Sequence, residues 1–355
     1  MQTDVLIVGQ GICGTLLSWW LHKEGKSFMV IDDGAENSSS KVAAGIINPV
    51  TGRRYVRTWM AEELPGFAQT TYTGLGQYLD AVLLYQRNII DFFPSPQMRN
   101  AFIERISEND TFLRAYPDQN RFNEFFHYDF GCGEIGPAYS VSLQILLSLW
   151  QKKLAAMQAL HEEEFRIEEL QVKEDGVQYG NVSAQKIVFC EGILAADNPW
   201  FSLLPFSPIK GEALVIECED LPADHVFKRG MMLAPLPQKN TFWVGSNYQW
   251  EFEDSKPSEQ FFTATTNALN RWLKRPYKVI EHKAAVRPAT VERRPFVGFH
   301  PLFQNVGILN GMGTKGTSLA PFFAHQLAQH IVYNYPLAPE VDVKRFSRIL
   351  SGRYE

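Results

Sequence analysis

Apolar residues run without a charge from Val5 to Leu21, but the run changes its period part-way. Val5-Leu-Ile-Val8 is a continuous apolar stretch, the pattern of a strand buried on both faces. After three spaced glycines, Gly9, Gly11 and Gly14, the apolar positions return at helical spacing from Thr15 to about Lys23, with Gly25 as the stop. Phe28-Met-Val-Ile31 predicts a second buried strand, ending in Asp32-Asp33. The stretch 62–115 predicts mainly helix, with Leu79, Val82, Leu83, Ile89, Ile90 and Phe93 on one buried face and Pro94 and Pro96 as stops. Residues 122–140 are rich in aromatics and glycine and predict strands and turns. A helix follows from Ser142 to about His161, then a hairpin from Phe165 to Val182 that turns at Glu174-Asp-Gly176. Ala184 to Cys190 predicts a parallel core strand closing at Gly192. Ala213 to Cys218 and Thr241 to Gly245 alternate as an antiparallel sheet would. The last third gives a strand, Val306 to Asn310, a glycine cluster, Gly311 to Gly316, and a helix from Ser318 to Val332.

The order strand, glycines, helix, strand, acid predicts a dinucleotide cradle at the N-terminus. Gly9 permits the tight turn, Gly11 the close approach of backbone to a pyrophosphate, and Gly14 close packing of the helix on the strand. Free N–H groups and the positive end of the helix dipole favour an anion there. Asp32 lies about 20 residues past the glycines, where a carboxylate meets a ribose hydroxyl, and Asp33 is an alternative in the same role. The second strand, glycine cluster and helix at the far end describe another phosphate-friendly turn, so both ends are expected to fold onto one cofactor.

At 355 residues and 45% hydrophobic content, the chain can bury a large core in two domains or one elaborate one. The uncharged N-terminal run is not read as a membrane span or a secretory signal, because glycines and Gln10 interrupt it and neither Lys nor Arg precedes it. A soluble, cytoplasmic protein is expected. Cys13, Cys132, Cys190 and Cys218 are scattered with no C-x-x-C pair, which points to buried thiols and away from disulfides or zinc. A net charge of −5 argues against a surface devoted to nucleic acid, although Arg53, Arg54 and Arg57, and again Arg287, Arg293 and Arg294, are locally basic. Most of the 8 Trp and 25 Phe are expected in the core.

Taken in order, these pieces resemble the D-amino-acid oxidase superfamily of flavoproteins, in particular its glycine oxidase and sarcosine oxidase branch. Gly9-Gln-Gly-Ile12-Cys13-Gly14 with Asp32 resembles the family's FAD fingerprint. Ser38-Ser39-Ser-Lys-Val-Ala-Ala44-Gly45-Ile46-Ile-Asn-Pro49 resembles the segment that runs along the cofactor and beneath the flavin ring. Ile187 to Gly192 resembles the strand entering an A-x-G turn near the FAD, with Cys190 and Glu191 replacing its usual small residues. Pro208-Ile-Lys-Gly-Glu212 resembles the strand that opens the substrate domain, and Ala285-Val-Arg287-Pro through Gly298 resembles the family's R-P-x-T segment. The resemblance implies an α/β fold: a Rossmann-like FAD domain of the glutathione-reductase type, with an inserted substrate domain of antiparallel sheet plus helices. The FAD domain would take 1–60, 140–205 and 285–355, and the substrate domain 61–139 and 206–284.

What the resemblance implies for chemistry is oxidation of a small amino acid or N-substituted glycine by hydride transfer to flavin N5, the imine product being hydrolysed. Arginine suits the substrate carboxylate because its planar fork binds both oxygens. Arg287 matches the glycine-oxidase anchor, while Lys315 within the terminal glycines and the pair Arg54 and Arg57 resemble the sarcosine-oxidase anchors. Cofactor contacts are expected from Ser39, Ala44, Gly45, Ile46, Cys190, Gly192, Gly311, Gly313, Thr314, Lys315 and Gly316 as well as from the fingerprint. The amides of Gly313 to Gly316 would stabilise charge on the reduced ring. Thr241 to Gly245 lacks the lysine of sarcosine oxidases, so oxidase and dehydrogenase both stay open. With no cysteine after Cys218, the FAD is expected to be non-covalent. Two alternatives stand beside this: a flavoprotein oxidising a carboxymethylamino group on a tRNA wobble base, and a non-catalytic FAD-binding module.

Overall fold

The Gln2–Val8 strand is the middle of a parallel sheet, and its unbroken apolar sequence follows from that position. Phe28–Asp32 pairs with it on one side and Val182–Phe189 on the other. Leu160–Glu162 and Val306–Asn310 extend the sheet outward, also in parallel. Phe296–Phe299 adds antiparallel to the last of these, and the Leu170–Lys173/Gly176–Tyr179 hairpin joins the start of Val182–Phe189. This computed structural model describes residues 1–352.

Side chains alternate across a strand, so Leu6, Val8, Met29, Ile31, Ile187, Phe189 and Ile308 share one face, packed against Phe201 and Leu204. The opposite face is covered by the Ile12–Lys23 and Gly316–Tyr333 helices, which pack on each other and bury Leu16, Leu17, Phe323, Ala324 and Leu327. Covering both faces is what allows the strands to be apolar throughout.

By its contacts the chain divides into two compact units. The first takes Met1–Lys41, Leu143–Ile209 and the chain from Val286, and the second takes Val42–Ser142 and Lys210–Ala285. The sequence boundaries placed 42–60 in the first unit. The contacts place it in the second, because Ile46–Ile47 pairs with Tyr139–Val141 and Trp243 Nε1 donates to Val42 O at 2.9 Å. Residues 140–142 likewise belong to the second unit and 206–209 to the first.

The second unit is built on a sheet in the order Lys278–Arg287, Ile209–Glu217, Thr241–Gly245, Met231–Pro235, Val226–Arg229, Ile89–Phe92, Cys132–Ile135, Leu113–Ala115. From Ile209–Glu217 onward the pairs are antiparallel except where Val226–Arg229 meets Ile89–Phe92. One face carries an aromatic core in which Phe126 stacks on Trp272 with centroids 4.9 Å apart and Phe92 lies 5.0 Å from Phe126. On the other, Ile89, Val226 and Ala234 pack with Val50, Tyr55 and Phe102.

Two sequence expectations are corrected here. The helix expected through Phe93 is Leu64–Leu79, which ends where Asp80 turns to φ 52°, and Leu84–Gln86 and Ile89–Phe92 are strands. A short apolar run does not distinguish helix from strand, and burial of Ile89, Ile90 and Phe92 on both faces of a sheet decides it. The helix expected to reach His161 is Leu143–Ala156, since Leu160–Glu162 is drawn into the sheet beside Phe28–Asp32. No helix among the described residues is long and apolar enough to cross a membrane.

Candidate cofactor site

Parallel strands end on a common edge, and in the first unit that edge collects the glycine turns. Gly9 leaves the first strand at φ +96°, and a Cβ there would lie 2.7 Å from Cys190 O. A Cβ on Gly14 would lie 1.8 Å from Gly9 O, so only glycine lets the helix begin this close to the turn. Ile12 and Cys13 open that helix with no acidic residue in its first turn to compete for an anion. Asp32 ends the second strand with Oδ2 accepting from Gln10 N at 2.6 Å and Oδ1 from Gly34 N at 2.9 Å. Its carboxylate therefore stands beside the glycine turn. Asp33 is exposed and accepts from Ala35 N at 2.9 Å, which closes its own turn. From the Ser39–Val42 helix it is Ser40, one residue past the expected Ser39, that reaches the cradle, where its Oγ accepts from Ile12 N at 3.0 Å.

The terminal loop is tied to the same edge. Asn310 Nδ2 donates to Gly192 O at 2.8 Å and Asn310 Oδ1 accepts from Gly311 N at 2.8 Å, linking two strand ends. A Cβ on Gly316 would lie 3.6 Å from Ile12 Cγ2, which sets the 311–316 loop against the start of the first helix. The two glycine clusters from opposite ends of the chain thus meet. Gly313 N donates to Pro288 O at 3.1 Å, so Arg287, half-buried, enters from a segment adjoining the loop that carries Thr314 and Lys315. Thr314 is exposed. Burial disfavours the charged form of Lys315 and draws its pKa down to about 8. The Gly316–Tyr333 helix starts behind it with neither a side-chain cap nor an acidic residue in its first turn.

The remaining expected residues lie in the second unit. A Cβ on Gly45, at φ +70°, would lie 1.9 Å from Val141 O, and Val141 N donates to Gly45 O at 2.8 Å. Ala44 and Ile46, on either side, are half-buried against the Val50 and Trp243 cluster. Arg54 and Arg57 sit on the Val50–Thr51/Val56–Arg57 hairpin, both exposed. Arg57 already holds two carboxylates, Glu62 at 2.7 Å and Asp110 at 3.0 Å.

Four residues of the first unit's edge were not assigned from sequence: Gln10, Ser40, Asn310 and Glu191. Asn310 had a signal, as the polar end of an apolar strand before glycines; Ser40 lay in the expected serine run. Glu191 is half-buried, accepts from Asn198 Nδ2 at 2.8 Å, and is pushed up to about 7 by burial. All four cysteines are buried, and burial pushes the thiols up, Cys13 and Cys132 to about 12. Among the described residues no group of His, Cys, Asp and Glu is arranged to hold a metal ion. Closely approaching backbone, open helix starts and one carboxylate on the adjacent strand suit an anionic dinucleotide.

Residues 144–330 match the family model of the FAD dependent oxidoreductases, DAO. A glycine oxidase of Pseudomonas putida is 24% identical over 377 aligned residues, covering 96% of this chain and 99% of its own. Among solved structures, glycine oxidase from Geobacillus kaustophilus superposes with a TM-score of 0.78 at 18% identity, covering 98% of each chain. Iminodiacetate oxidase from Chelativorans sp. BNC1 superposes at 0.76 and 18%, covering 97% of this chain and 98% of that one.

Proposed function

Because the chain belongs to the DAO family of FAD-dependent oxidoreductases, we propose that it oxidises a small amino acid or N-substituted glycine at the carbon bearing the amine, water then hydrolysing the imine. When bound, FAD would supply the two-electron acceptor for this oxidation. The observation that carries this reading is the meeting of the Gly9–Gly14 and Gly311–Gly316 loops at the first helix start. The first loop and Asp32 would hold the diphosphate and ribose, and the open start of the Gly316–Tyr333 helix would stabilise negative charge at the ring.

Arg287 is the carboxylate anchor of this reading, since its fork binds both oxygens, and Lys315 from the adjoining loop adds a second positive charge. Arg57 is the weaker candidate because it is exposed on its hairpin, whereas Arg287 is half-buried. Glycine and iminodiacetate, which the similar proteins' names specify, both carry a carboxylate one carbon from the amine, in keeping with such an anchor. The FAD is held non-covalently, because buried thiols with raised pKa values are poor nucleophiles. The test is anaerobic titration of the purified protein with glycine, sarcosine, iminodiacetate, proline and larger amino acids. Bleaching of the flavin spectrum by one of them supports the reading; absence of flavin, or flavin that none of them reduces, defeats it.

A further inference from the structure

Arg87 lies half-buried between the Leu84–Gln86 and Ile89–Phe92 strands of the second unit, on backbone that is fixed from two sides. Its N–H donates to Ala138 O at 3.0 Å, and the neighbouring Asn88 O accepts from Val226 N at 3.0 Å. The side chain is constrained as well. Its guanidinium lies over the Tyr85 ring, 4.6 Å from the centroid, and Nη1 donates to Pro235 O at 3.0 Å. What it lacks is a carboxylate. It forms no ion pair with a described Asp or Glu, whereas Arg121, Arg275 and Arg345 each hold one. Asp224, whose charge reaches it, is engaged elsewhere, 3.2 Å from Arg121 and 3.1 Å from His225. A tyrosine face and one neutral carbonyl replace only part of the water this cation gives up on burial.

With Nη1 turned to Pro235 O, the edge left over is the one formed by Nε–H and Nη2–H, two parallel donors on one side of the fork. Neither has a partner among the described residues, and neither is sealed from solvent. We propose that Arg87 is the binding site for a small oxyanion, a carboxylate or phosphate group held edge-on by Nε and Nη2. Two oxygens of one anion match these donors at about 2.7–2.9 Å each. The fork is set in advance, because Tyr85 fixes its plane and Pro235 its direction within that plane, so little side-chain freedom remains to be lost on binding. Chloride, a single point of charge, would use the positive charge and not the paired donors.

The experiment melts the purified full chain in sodium acetate, sodium phosphate and sodium chloride at matched ionic strength and pH, for the native protein, Arg87→Lys, Arg87→Met and Arg287→Met. Acetate or phosphate should raise Tm saturably above chloride in the native protein, and equally in Arg287→Met, which has lost the anchor proposed for the substrate. Arg87→Lys keeps the charge without the paired donors and should need at least about tenfold more anion for half the effect. Arg87→Met should respond as it does to chloride. Either ion supports the site, and the one acting at lower concentration identifies the group it takes. A native Tm that follows ionic strength alone, a response lost in Arg287→Met, or one kept in Arg87→Met overturns the proposal. Turnover enters none of these measurements, so a failure of the proposed oxidation and a failure of this site are read separately.

Discussion

At the scale of single residues, Arg287 and Lys315 offer different kinds of charge to an acid, and they are separable by experiment. Arg287→Lys keeps the positive charge and loses the two-pronged geometry; with charged hydrogen bonds worth about 1.5–3 kcal/mol, KM for an amino-acid substrate should rise about tenfold to a hundredfold with kcat little changed. Steady-state kinetics would show it, and an unchanged KM would move the anchor elsewhere. Lys315 is charged below about 8 and neutral above, so its attraction for a carboxylate is present at low pH and lost as pH rises. KM should climb through that value in the native enzyme and stay level in Lys315→Met, whereas an identical profile in both would remove Lys315 from the site. Arg287 and Lys315 stand out in the sequence only through the resemblance to the family's motifs, whereas Gly9, Gly14 and Asp32 follow from the local order of strand, glycines, helix and acid. Ser40 and Asn310 depend on partners 28 and 118 positions away, and no local pattern encodes such pairs.

Among the elements, the strand–turn–helix opening was the most legible because its steric demands are local. Alanine at position 14 would force its Cβ to 1.8 Å from Gly9 O, and the backbone must give way at a cost of about 3 kcal/mol, the upper part of the overpacking range. Gly25 is the control: it also has positive φ, but a Cβ there meets nothing within 4 Å, so Gly25→Ala should cost only about 1 kcal/mol of conformational strain. Urea melts should rank the two variants accordingly, with FAD retention lost only in Gly14→Ala; equal midpoints would mean the turn is not as tight as described. The elements least legible were Leu84–Gln86 and Ile89–Phe92. Their apolar residues fit a helical face as well as a strand, and the deciding facts are pairings with distant segments, Leu84–Gln86 with Tyr139–Val141 and Ile89–Phe92 with Val226–Arg229 and Cys132–Ile135. Asp91 gave no warning either: its carboxylate is buried in that sheet, where Lys228, its register partner, donates to Oδ2 at 2.7 Å.

For the whole molecule, the question is whether two units with separate cores unfold separately. Each has its own sheet and its own buried cluster, which favours independence. The chain nevertheless crosses between them four times, so each unit closes the other's long excursions, 42–142 and 210–285 in the case of the first. If the second unit melted alone, the first would have to hold the ends of two flexible loops together at about 4 kcal/mol each by the logarithmic closure law. Against a typical domain stability of about 5–15 kcal/mol, that loss is large enough to bring the first unit down as well. One cooperative transition is therefore expected. Trp150 reports on the first unit and Trp272 on the second, both fully buried, so Trp150→Phe and Trp272→Phe should remove fluorescence amplitude without separating the midpoints. FAD at a hundred times its dissociation constant should raise both probes together, by about 2.7 kcal/mol. If the Trp272 signal kept its midpoint while FAD moved the Trp150 signal, the units would be energetically independent and the closure argument would be wrong.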